Sequence, residues 1–155
     1  MGTNLVQRND GGVAFVEDAT ASEVLKVGGT GHRNCKIAKV AITGVAATTG
    51  GALFAWQNPE NVPIIVDRLE IDVLTKSTGA ANGSFGTAAN GTTSSANLID
   101  TYALGGTEKV VNNIDDKGAN GKSVQKMTTS QFITGTGSAT TAGLTGFVYI
   151  HYYLT

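Results

Sequence analysis

The sequence holds little of what most sites are built from: one cysteine, two histidines, two prolines and one tryptophan in 155 residues. A lone Cys35 cannot close an internal disulfide, so no cysteine framework staples the fold and nothing requires an oxidising compartment. Charge is sparse too, at 15% of residues against roughly 25% in ordinary soluble chains. Eleven basic and twelve acidic side chains sum to −1. That leaves no electrostatic surplus for gripping a phosphate backbone or an anionic membrane, so nucleic acid and lipid are poor partners. No run approaches the ~20 apolar residues of a membrane span, and the first eight residues lack the basic start and apolar stretch of a secretory signal. The expectation is a soluble protein made in the cytoplasm. Met1-Gly2 opens a myristoylation pattern that fails at its sixth residue, Val6 in place of Ser or Thr.

What is present in excess is glycine, 21 residues, about twice its usual share. The length suits one domain with an arm, and not two domains. In Asp67 to Val73, Leu69, Ile71 and Val73 alternate with Arg68, Glu70 and Asp72, the period of a half-buried strand. Val62-Pro63-Ile64-Ile65-Val66 precedes it. Pro63 cannot donate a ladder hydrogen bond, so the strand is expected to begin just after it. Further strands are expected at Lys36 to Thr43, Ala52 to Trp56, Leu98 to Leu104, Lys109 to Ile114, Ser123 to Thr128, Gln131 to Thr134 and Gly146 to Leu154. No segment carries a convincing helical repeat.

Turn-forming clusters separate them: residues 46–51, 75–95, 115–121 and 135–143. Short strands divided by such loops indicate an all-β fold, an antiparallel sandwich or a barrel; the expected form is an antiparallel β-sandwich, jelly-roll-like or related. The Asn-Gly pairs at 82–83, 90–91 and 120–121 favour left-handed turns and are candidate hairpin tips. Residues 1–35 differ in character. Their apolar islands, Val13 to Val16 and Val24 to Val27, are separated by Gly, Asp, Thr and Ser, which reads as an N-terminal arm or extra hairpin ahead of a sandwich domain at 36–155. Ala19 to Leu25 has room for one helical turn or two, too few for an independent helix.

Chemistry-bearing constellations are incomplete. His32 and Cys35 form an isolated His-x-x-Cys, where a structural zinc site needs four ligands. His151 falls in register with Phe147, Tyr149 and Tyr153, the pattern of one aromatic, semi-polar strand face. Asn113 to Gly118 opens like a calcium loop, but Lys117 occupies a ligand position and no closing Glu follows, so an ordinary polar turn is expected. Gly118-Ala119-Asn120-Gly121-Lys122-Ser123 is two residues short of a phosphate loop. Gly135-Thr136-Gly137 lacks the third glycine of a dinucleotide fingerprint and reads as a flexible loop. There is no Gly-x-Ser-x-Gly nucleophile elbow, and Glu70 and Asp72 share the face of Arg68, as on a solvated strand. These readings point away from an enzyme and call for no cofactor or metal. Trp56 is expected in the core or at a subunit interface; on an exposed face it would stack on a sugar or anchor a protein.

Several stretches in order resemble a family of small phage structural proteins, the head decoration, cement or capsid fibre type. They are Thr30-Gly31-His32, Lys36 to Val40, Trp56 to Glu60, Ile64 to Leu69, Ser95 to Asp100, Asn112 to Ser123, Thr134 to Ser138 and Ala142 to Gly146. The likeness spans roughly residues 30 to 155. It implies a β-sandwich seated on an assembled capsid, commonly as a homotrimer, which reinforces the shell against internal DNA pressure. The implied partners are the major capsid protein and further copies of the chain, and the implied place is the capsid surface of a virion assembled in a host cytoplasm. Val13, Phe15, Val16, Val24 and Leu25 of the arm, with Trp56, are the candidate capsid or subunit contacts, since islands so short make no core alone. The alternative is an adhesive module, a tail-fibre tip or carbohydrate-binding sandwich, with Trp56, Tyr149, Tyr152 and Tyr153 as stacking platforms.

Overall fold

A computed structural model describes residues 35–106 and 110–155. The chain divides after His32, and these residues belong to the second unit, Arg33–Thr155. The expected arm, with the helical turns considered at Ala19 to Leu25, lies outside the described residues.

Nine strands are formed among those residues: β1 (Lys36–Thr43), β2 (Gly51–Gln57), β3 (Ile64–Thr75), β4 (Asn82–Ala88), β5 (Ile99–Ala103), β6 (Val110–Asn112), β7 (Gln125–Met127), β8 (Phe132–Gly137) and β9 (Thr145–Leu154). All pairings are antiparallel. The first sheet runs β1–β9–β3–β6, with β7 also paired to β3; the second runs β2–β8–β4–β5. Successive strands pass repeatedly from one sheet to the other. The two sheets pack as a β-sandwich, because each presents one apolar face and only face-to-face packing removes both from water.

β3 and β9 show this most plainly. Ile64, Val66, Leu69, Ile71 and Val73 of β3, with Val148, Ile150 and Tyr152 of β9, point inward. They meet Leu53, Phe54, Phe85, Ile99 and Ile133 of the second sheet in one core. β3 begins at Ile64, directly after Pro63, as the missing proline donor requires. The register between β3 and β9 slips between Val66 and Arg68. That irregularity keeps Val66 and Leu69 both inward although they are three residues apart.

On its other edge β3 pairs with β7 at Ile64 to Val66 and with β6 at Glu70 to Asp72. Fully buried Asn113 joins the two short strands. Its Oδ1 accepts the Leu69 N–H at 2.7 Å, its own N–H donates to the Leu69 carbonyl at 3.2 Å, and its Nδ2 donates to the carbonyls of Lys122 and Ser123 at 3.0 and 2.8 Å.

Two expectations from glycine content are corrected. Residues 75–95 read as loop, yet β4 occupies 82–88 and starts at Asn82-Gly83; residues 135–137 read as a flexible loop, yet they complete β8. One cause serves both. A Cβ on Gly135 would lie 2.5 Å from Phe54 and 2.9 Å from Phe85, and one on Gly83 would lie 2.8 Å from Phe85. These glycines leave space for rings and do not mark turns. Asn120-Gly121 is likewise no hairpin tip, since β6 and β7 on either side pair with β3 and not with each other. Asn90-Gly91 does lie in the link between the paired strands β4 and β5.

Candidate functional site

Of the candidate contact residues, only Trp56 lies among the described residues; Val13, Phe15, Val16, Val24 and Leu25 lie outside them. Trp56 sits near the end of β2, half-buried against the core, its ring 5.4 Å from that of Tyr152. Tyr152 pairs across β1 with Lys36, the first residue of that strand. The Tyr152 hydroxyl donates to Glu60 Oε1 at 3.0 Å, and Lys36 Nζ lies 2.7 Å from the same oxygen. Trp56, Tyr152, Glu60 and Lys36 therefore form one cluster where the chain enters β1.

The loop that presents Glu60 is held by Asn58, which is buried. Its Nδ2 donates to the carbonyls of Val62 and Thr128, both at 3.1 Å, and its Oδ1 accepts the Glu60 N–H at 2.9 Å. The Lys36 ammonium, and after it the Tyr152 hydroxyl, hold the Glu60 carboxyl below its ordinary range. Burial, reinforced by Glu60, pushes the Tyr152 phenol up to about 12. A carboxylate fixed between a lysine and a tyrosine is a structural clasp between β1, β9 and the β2–β3 link.

The stacking platform expected of an adhesive module is divided. Tyr152 points inward beside Trp56, while Tyr149 and Tyr153 lie on the opposite, outer face of β9. That outer face is the aromatic, semi-polar row expected from sequence, Phe147, Tyr149, His151 and Tyr153, all partly exposed. His151 Nε2 is 3.3 Å from Glu70 Oε2, and Arg68 Nε is 3.2 Å from Glu70 Oε1.

The segment that opened like a calcium loop is a polar turn. Asn112 Oδ1 accepts the N–H groups of Ile114 and Asp115 at 2.9 and 3.1 Å, and the Asn112 N–H and Nδ2 donate to Asp116 and Asp115. Both aspartates thus serve their own turn. Among the described residues, no three His, Cys, Asp or Glu side chains come together in a way that could hold a metal ion. Nearby, Asp100 accepts from the Thr101 hydroxyl at 2.7 Å and Asn120 Nδ2 at 2.6 Å, and these bonds, Thr101 first, lower its pKa. Thr101 holds a φ of 63°.

Compared with protein-family models, with curated proteins and with solved structures, the chain matches none. The Asn- and Gly-rich stretches have physical roles in the fold. Asn58, Asn112, Asn113 and Asn120 tie turns, Asn97 bonds Thr87 in both directions at 2.8 Å, and Gly135 seats two rings. Sequence reasoning missed Asn113 and Asn97 as buried or part-buried ties. Their only signal was a polar amide at the rim of an apolar strand, which any surface turn also gives.

Proposed function

We propose that this protein is a non-enzymatic structural subunit of a phage virion that seats on the outside of the capsid and stiffens it, binding the major capsid protein and further copies of itself. One observation supports the reading: within the span of the family likeness, residues 35–106 and 110–155 fold as a two-sheet β-sandwich, the architecture that likeness implies. The strand orders β1–β9–β3–β6 and β2–β8–β4–β5 support wiring of the jelly-roll kind. Polar side chains that would otherwise be free for a ligand are used internally: Glu60 in its clasp, Asn113 between two short strands, Asp115 and Asp116 in their turn. A stiff, nearly neutral block of this kind acts by covering area.

The arm is the proposed capsid or subunit contact. Removing residues 1–30 tests this. Binding to capsids that lack the protein is expected to be lost while the truncated chain keeps the far-ultraviolet dichroism of a β-sandwich. Unchanged occupancy would refute the arm's role, and saturable binding to a glycan in place of capsids would favour the adhesive reading.

A further inference from the structure

The outer face of the first sheet is aromatic along its centre and charged along its margins. β9 supplies the central row of Phe147, Tyr149, His151 and Tyr153. Register fixes what flanks it. Lys39 of β1 and Glu70 of β3 both stand level with Tyr149; Ala41 and Asp72 stand level with Phe147; Ile37 and Arg68 stand level with His151. One margin thus carries an exposed lysine and the other two carboxylates beside Arg68, whose Nε lies 3.2 Å from Glu70 Oε1. Lys39 Nζ rests 3.7 Å from the Phe147 ring centroid and 5.5 Å from that of Tyr149, and Ile37 beside it is 59% exposed.

We infer that this face binds the same face of a second copy of the chain, across a two-fold axis parallel to β9. Rotation about that axis keeps each residue's level along the strand and exchanges the margins. Lys39 of each copy then faces Glu70 of the other, twice per dimer, with Ala41 over Asp72 and Ile37 over the stem of Arg68. A two-fold axis across the strands does the opposite. At the level of Tyr149 it sets Lys39 against Lys39 and Glu70 against Glu70, whereas the first arrangement pairs opposite charges at that level.

Face-to-face sheets lie ~10 Å apart, a gap that a lysine and a glutamate can bridge. Tyr and Phe at the centre with charge at the rim is the usual anatomy of a protein contact. Four strands at ~4.8 Å and β9 at ~3.4 Å per residue cover about 600 Å² per copy, roughly 1,200 Å² in all, the low end of a stable interface. A sugar chain fits less well, because Lys39 already covers the Phe147 ring. The contact is independent of the capsid role, and it differs from the trimer implied by family likeness, so mass in solution tells them apart.

Sedimentation of the full chain over roughly 1–200 µM should show a reversible dimer of the 15.9 kDa protein that weakens as salt screens its ion pairs. K39E and E70K are each expected to raise the dissociation constant about tenfold or more, and K39E/E70K to return it to within a few-fold of the original. Circular dichroism verifies folding; if E70K does not fold, K39E and the salt titration of the unaltered chain carry the test. A monomer throughout, a trimer, a dimer indifferent to K39E and salt, or a double variant no tighter than the singles would each overturn the inference.

Discussion

Phe54 and Phe85 belong to strands that do not touch each other, yet their rings stack at 6.2 Å because both lean over Gly135 on the strand between them. The register places Gly135 opposite Phe54 on one side and Phe85 on the other. A methyl group at that point has no room. Gly135→Ala is therefore expected to cost about 1–3 kcal/mol in chemical denaturation, the usual cost of overpacking a core. Phe54→Leu in the same chain should recover part of that loss, seen as a non-additive double-mutant cycle.

Asn113 replaces a length of β-ladder with one side chain. Truncation to Ala strands the buried Leu69 N–H and takes a donor from the part-buried Lys122 and Ser123 carbonyls, and each buried polar group left unpaired costs about 1–3 kcal/mol. Because partial relaxation re-pairs some of them, Asn113→Ala should destabilise by about 3 kcal/mol. Asn113→Asp should also fail, since a carboxylate has no N–H for the two carbonyls. Denaturant midpoints measure both.

Acid and alkali act on different groups. Glu60 and Asp100 have folded-state pKa values below their ordinary 4.5 and 3.8. Their contribution is complete above those values and is lost as pH falls through the folded ones. Tyr152 is raised from 10.0 to about 12, so its contribution is present below 10 and declines as pH climbs toward 12. Of the four tyrosines, Tyr152 should ionise late in an absorbance titration of the phenolate. Tyr152→Phe should remove that late step.

Thr101 is strained. A β-branched residue at φ 63° crowds its Cβ against the backbone, at a cost of about 1–2 kcal/mol. Asn tolerates this region and keeps a polar group near Asp100. Thr101→Asn should raise the denaturation midpoint by the equivalent of about 1 kcal/mol.

Where apolar residues alternate, the strands are legible residue by residue: β1 at 36–43 and the inward Leu69, Ile71 and Val73 of β3 follow from pattern alone, whereas the slip that keeps Val66 inward as well breaks the period of two. The period of two also placed His151 correctly among Phe147, Tyr149 and Tyr153 on one face. β4 and the end of β8 are not legible, because Gly83, Gly86, Gly135 and Gly137 read as breakers. A glycine that makes room for a ring on a neighbouring strand looks, in one dimension, like a glycine that bends the chain. Asn113 is hidden for a similar reason. The Trp56–Tyr152–Glu60–Lys36 clasp joins residues from three separate segments, a juxtaposition that only the β1–β9 pairing and the fold of the β2–β3 link create.

If the proposed capsid role holds, a phage encodes this chain, and purified particles of that phage test the proposal most directly. Their protein composition and a density map should show the chain in regular copies on the outside of the shell, each with a two-sheet block fitting residues 35–106 and 110–155. Absence of the chain from purified particles, or turnover of a substrate by the pure protein, would contradict the claim.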